Sequence, residues 1–143
     1  LKEGACVVLA DIDGAAAADV AAGMAKVYGK DVVRSVQMNV TDEAQVIAAY
    51  SEAAAEFGGL DILVSNAGIA SSAPIEDTSL ALWNKNMDIL STGYFLVSRE
   101  AFKVLRAQKI EVDHMARFAP YFVMLPHLHA TDGFFAAVLE RVR

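Results

Sequence analysis

The feature that most limits what this chain can fold into is a repeated switch of period. Apolar runs of five to seven residues alternate with longer stretches in which apolar residues recur every three or four positions. Residues 5–10 (Ala-Cys-Val-Val-Leu-Ala), 32–38 (Val-Val-Arg-Ser-Val-Gln-Met) and 60–64 (Leu-Asp-Ile-Leu-Val) have strand length and composition. The first of them, closed by Asp11-Ile12-Asp13-Gly14, reads as a strand buried on both faces. Between the runs, residues 15–27 place Val20, Met24 and Val27 at helical spacing, with Gly29 set to end the helix. Residues 42–57 carry Val46, Ile47, Tyr50, Ala54 and Phe57 along one face, with Thr41 as the expected N-cap and Gly58-Gly59 as the stop. Strands that alternate with helices imply right-handed crossovers and a parallel sheet.

After Pro74 the spacing predicts one long helix over about 79–108. Leu80, Trp83, Met87, Leu90, Tyr94, Val97, Ala101 and Val104 form a 3-4-3-4-3-4-3 seam that should meet the core or a partner helix. Gly93 interrupts it at a cost of about 1 kcal/mol relative to Ala, unless close packing requires it.

Beyond Lys109 the character changes. All three histidines, two of three prolines and four of seven phenylalanines lie there. Residues 121–125 and 134–142 read as strands joined by a turn containing Thr131-Asp132-Gly133, a C-terminal β-hairpin, with helix as the alternative for 134–142. The expected organisation is therefore an incomplete α/β unit over 1–109 and a heterologous tail over 110–143. The first residue is Leu, and Lys2-Glu3-Gly4-Ala5 reads as the end of a helix entering a strand, so the sequence is expected to start inside a fold.

A net charge of −6 argues against a nucleic-acid surface, which needs clustered Lys and Arg, but leaves room for a small anionic cofactor held by backbone N–H groups. No apolar run approaches the ~20 residues of a membrane helix. The single cysteine, Cys6, cannot form an internal disulfide, which fits a reducing cytoplasm; mid-run among valines it reads as a buried, inert thiol.

Four segments together resemble the short-chain dehydrogenase/reductase family over residues 1–109. They are Val8-Leu9-Ala10-Asp11, Asn39-Val40-Thr41-Asp42, the 60–64 run followed by Asn66-Ala67-Gly68, and the Trp83 helix with Gly93-Tyr94-Phe95. Met87–Glu100 most resembles the dehydrogenase domain of bifunctional aldolase/short-chain dehydrogenases. The implied fold is α/β, a partial Rossmann-like doubly wound parallel sheet in the order β-α-β-α-β-α. The implied activity is NAD(P)-dependent oxidoreduction, a hydride transferred to or from an alcohol, carbonyl or sugar-derived substrate. Residues 125–137 are similar to the C-terminal end of RNA cytosine-C5 methyltransferases, which use S-adenosylmethionine, although no catalytic cysteine motif of that family is present. A fusion with its junction near 110–115 accounts for both resemblances.

The resemblance gives Asp11 to the adenosine ribose hydroxyls, and hence NAD over NADP; capping of the next helix by Asp11 or Asp13 is the competing reading. It sets Asn39 and Val40 beside the adenine ring, where the family usually has Asp and where Asn can still hydrogen-bond an amino group, against an ordinary strand-to-helix turn. Asn66, Ala67 and Gly68 would border the cofactor, against a plain turn. His127 and His129 read as solvated histidines of a turn rather than metal ligands. No Tyr-x-x-x-Lys, the family's acid–base pair, occurs, and Leu90 stands where the family's helix has Asn. No catalytic residue is therefore assigned, and the chain alone is expected to be inactive. In the family's strand order a first strand would lie between those of 5–10 and 60–64, so the sheet must close up, be filled by the tail, or fold poorly. A second possible role is non-catalytic, a homo-oligomer pairing through the 80–104 seam.

Overall fold

The computed structural model describes residues 1–108 and the backbone of residues 135–137. Its elements follow the alternation. β1 (Val7–Asp11) leads to α1 (Gly14–Tyr28), and a 3₁₀ turn enters β2 (Val33–Gln37). α2 (Glu43–Phe57) precedes β3 (Leu63–Ser65), and a second 3₁₀ turn precedes α3 (Leu80–Met87). A π-helical segment, Asp88–Gly93, joins α3 to α4 (Tyr94–Ala107), and β4 is Phe135–Ala137.

β1 and β2 are parallel, in the register Val7↔Val33 through Asp11↔Gln37. Helices lie on both faces of this pair. A Cβ on Gly14 of α1 would sit 2.9 Å from Gln37 Cβ, whereas Val36 packs against the cluster of Met38, Val46, Ala49, Leu96 and Val97. Successive strand side chains point to opposite faces. So α1 covers one face, α2 and α4 the other, which is the doubly wound arrangement.

The third strand departs from the expected sheet. β3 is not hydrogen-bonded to β1 or β2; it pairs antiparallel with β4, Leu63↔Ala137 through Ser65↔Phe135. The described strands therefore form two two-stranded sheets. A lone strand of three residues presents unmatched N–H and C=O groups, and a tail strand satisfies one edge of it. β4 falls within the strand expected over 134–142; its expected hairpin partner, 121–125, lies outside the described residues, as do His127, His129 and the methyltransferase-like segment up to Phe134.

With only two strands beneath it, α1 packs through small residues. Ala17 and Ala21 are buried, while Val20 and Val27, two of the apolar residues at helical spacing, are exposed. β1 is half-buried rather than covered on both sides, and Cys6, just ahead of it, is exposed, not an internal thiol. On α2 the inner residues are Val46 and Ala49, and Ile47 faces out. The helix ends where expected, with Gly58 in the left-handed conformation at φ 78°. Its N-cap, however, is Asp42, whose carboxylate accepts from the Gln45 N–H; Thr41 is turned back onto Asn39. A carboxylate satisfies the orphan N–H groups of a first turn at least as well as a hydroxyl and also meets the helix dipole.

The long helix is three pieces. Ser79 caps α3, and the π segment ends at Gly93, where a Cβ would lie 2.7 Å from Val40 Cγ2. The glycine is thus a packing requirement, letting α4 close onto the end of β2. Between α2 and α4, Glu100 is buried and its carboxylate accepts from Arg99 Nε at 2.9 Å and Lys103 Nζ at 2.8 Å, while Arg99 also reaches Glu43 at 2.6 Å. The Lys103 hydrogen bond, with that of Arg99, holds the Glu100 carboxyl below its ordinary range against the opposing effect of burial. Burial, then the Glu100 charge, pushes the neighbouring Tyr50 phenol up.

Candidate functional site

The parallel pair brings the carboxyl ends of β1 and β2 side by side. Met38 N–H donates to Asp11 O at 2.8 Å, so Asp11 and the Asn39-Val40 turn are neighbours at the end of the sheet where α/β folds bind ligands. The first loop is fixed from within. Asp13 caps α1 by accepting from Ala16 N–H at 2.9 Å, and its own N–H donates to Asp11 Oδ1 at 2.9 Å. Of the two residues that could cap the helix, Asp13 does so. Asp11 keeps its second carboxylate oxygen without a partner among the described residues, on an exposed side chain.

The second loop is an Asx turn. Asn39 Oδ1 accepts from Thr41 N–H at 3.1 Å and from Thr41 Oγ1 at 2.9 Å, and Asn39 N–H donates to Gln45 Oε1 at 2.9 Å. Gln45 Nε2 in turn donates to Asp42 at 2.8 Å. The Asp42 carboxyl lies below its ordinary value, first through the Gln45 N–H and then through this side-chain bond. Val40 packs against the hydrophobic cluster and against Gly93.

Asn66, Ala67 and Gly68 follow β3 and are exposed. They share no hydrogen bond with Asp11 or Asn39; the link is by packing. A Cβ on Gly68 would lie 3.2 Å from Leu90 Cδ2 in the π segment that ends at Gly93 against Val40. The loop beyond is tied to α3 by Ser71 Oγ and Asn86 Oδ1 at 3.1 Å. Of the six expected residues, Asp11, Asn39 and Val40 form one constellation, and 66–68 sit against it indirectly.

Two supporting residues lie outside the expected set. Gln45 was legible: Asp42-Glu43-Ala44-Gln45 has the spacing of a capping box, whose N3 side chain reaches back toward the start of the helix. Gln37, which donates to Ile12 O at 3.2 Å and lies under Gly14, has no comparable signal. Among the described residues no group of three His, Cys, Asp or Glu side chains could hold a metal, and no helix is long and apolar enough to cross a membrane.

A family model described as enoyl-(acyl carrier protein) reductase matches residues 1–118. The chain belongs to the short-chain dehydrogenase/reductase family. Among relatives of known sequence, the uncharacterized oxidoreductase YuxG of Bacillus subtilis is 47% identical over 106 residues, covering 74% of this chain and 15% of YuxG. A 3-alpha-(or 20-beta)-hydroxysteroid dehydrogenase of Mycobacterium tuberculosis is 41% identical over 106 residues, covering 74% of this chain and 39% of that protein. Among solved structures, sorbitol-6-phosphate 2-dehydrogenase SrlD of Erwinia amylovora superposes with a TM-score of 0.70 at 33% identity, covering 73% of this chain and 41% of that one. The chain thus spans well under half the length of these short-chain dehydrogenase/reductase relatives. Their α/β Rossmann-like fold is the one the β1-α1-β2-α2 unit builds here.

Proposed function

We propose that this chain carries the adenosine-binding end of an NAD site, in a protein that transfers hydride to or from an alcohol, carbonyl or sugar-derived substrate. The observation that carries this reading is the free carboxylate oxygen of Asp11 beside the Asn39-Val40 turn at the carboxyl ends of β1 and β2. The donor set suits that half of the cofactor. An exposed carboxylate with one oxygen fixed and one open can accept from two vicinal hydroxyls and repels a 2′-phosphate. Val40 gives an apolar edge for a flat base, and Asn66-Ala67-Gly68 would border the remainder.

NAD, when bound, supplies the hydride-accepting ring. What these residues do is hold its adenosine: Asp11 fixes the ribose, Asn39 and Val40 the base. Since the sequence holds no Tyr-x-x-x-Lys, the 143-residue chain is proposed to bind without turning over. The aldolase-linked dehydrogenases are the proposed setting. Equal matches of 106 residues make up 15% of YuxG but 39% of the steroid dehydrogenase, so YuxG is far longer than one such domain. The proposed location is the cytoplasm, on the single cysteine, and residues 110–143 are proposed to be a tail of separate origin.

Titration of the ¹⁵N-labelled chain with NAD, followed by amide shifts, tests the site. Movement confined to 11–14, 37–41 and 66–68, weaker with NADP and lost in Asp11→Ala, is the expected result; no movement at millimolar NAD would sink the reading.

A second reading has its own observation. Leu80, Trp83, Met87 and Leu90 are exposed along one stretch, which suits pairing with another copy. Sedimentation across a hundredfold concentration range should then show a dimer, and a concentration-independent monomer would exclude it.

A further inference from the structure

The side-chain amide of Asn39 has a fixed direction. The backbone N–H of Thr41 can only donate, and it lies 3.1 Å from Asn39 Oδ1. Turning the amide over would aim an NH₂ at an N–H, so the network itself decides which atom is oxygen. The Thr41 hydroxyl donates to the same oxygen at 2.9 Å, which takes both of its lone pairs. Nearby acceptors are engaged as well. Gln45 Oε1 receives the Asn39 N–H at 2.9 Å, and the Asn39 carbonyl receives the Asp42 N–H at 3.0 Å. Asn39 Nδ2, by contrast, has no partner among the described residues and reaches solvent. What this turn offers a ligand through its side chain is therefore a donor.

An aspartate in the same turn would offer the opposite. One carboxylate oxygen would serve Thr41, leaving the other as an acceptor. The difference matters for a purine, whose position 6 carries a donor in adenine (the exocyclic amine) and an acceptor in hypoxanthine (the carbonyl). Resting on the adenosine-site reading above, we propose that Asn39 meets the purine edge as a hydrogen-bond donor. It takes no bond from the adenine amine and favours an acceptor at position 6.

The test compares NAD with nicotinamide hypoxanthine dinucleotide on the full chain, reading dissociation constants from amide shifts of 37–41. The quantity that matters is the ratio of the two constants, in which general weakening of the site, or the added charge of a variant near Asp42, cancels. The native chain is expected to bind the hypoxanthine form as tightly as NAD or more tightly. Asn39→Asp should swing the ratio about tenfold toward NAD, the size of one hydrogen bond gained and one lost. Asn39→Ala, which keeps the Asp42 N–H bond to the residue 39 carbonyl but removes the donor along with the hold on Thr41, should move it the same way by less, and serves if the aspartate variant does not fold. A native chain preferring NAD as strongly as either variant would overturn the proposal while leaving the site reading intact. Failure of both dinucleotides to bind the native chain would overturn the site reading and this inference with it.

Discussion

The two halves of the apolar seam on the long helical stretch have the same spacing and opposite surroundings. In the first half Leu80 and Trp83 are 72% and 55% exposed; in the second Val97 and Ala101 are 3% and 2% exposed. Periodicity names a face of a helix, but not what covers it. The second half is covered by α2 and lies near β3, and the first half has no such cover among the described residues. The π segment between them separates the halves further. One extra residue in a turn rotates the remainder of a helix by about 100°, so a seam continuous in sequence is not one stripe in space.

The contrast between the halves breaks most sharply at the buried end. Val97→Asp, which puts an unpaired charge among Met38, Val46 and Leu96, should cost about 3 kcal/mol or more, read as a fall in the urea midpoint of unfolding. The junction comes next. Gly93→Ala drives a methyl into Val40 and should cost about 2 kcal/mol, and Val40→Ala in the same chain should recover part of it; additive losses would show that the two residues do not touch.

Glu100, on the covered half, sharpens the contrast through pH. Its carboxyl is held below the ordinary 4.5, so its stabilisation is fully present above that value and is lost as pH falls through the lower folded-state value. Glu100→Gln should cost about 1 kcal/mol at pH 7, because Lys103 and Arg99 are partly solvated, and the two proteins should converge in acid. Smallest of all is the exposed half, where Leu80→Asp should change the unfolding free energy by no more than about 0.5 kcal/mol. A large loss there would mean that the outer seam is covered after all.

The same contrast marks what could be read from residues. Chain-local facts were legible: the alternation of β1, α1, β2 and α2, the stops at Gly29 and Gly58, and the close packing that a mid-helix Gly93 implies. What depended on distant partners was not. Val20 and Val27 have helical spacing, but a two-stranded patch is too narrow to cover them, and alanines make the contact instead. Cys6 looked internal because its neighbours are valines, yet burial of that end needs a further layer beside β1. The partner of β3 is about 70 residues away in sequence, beyond the reach of any local pattern. At the candidate site, the family resemblance singled out Asp11, Asn39 and Val40, and the parallel pairing of β1 with β2 brings these three together. The polarity of Asn39 was not legible, since it is set by Thr41 N–H, an atom every non-proline residue has.

Gln108 at the end of α4 holds Leu60 by both its amide groups, accepting from the N–H at 2.5 Å and donating to the carbonyl at 2.9 Å. That clasp grips the stretch entering β3, whereas the loop 66–68 leaves it. An extended chain rises ~3.3 Å per residue, so the six residue steps from Leu60 to Asn66 can separate the two places by up to roughly 20 Å. The clasp thus lets the last turn of α4 set where the chain enters β3, at the opposite end of that strand from the 66–68 loop.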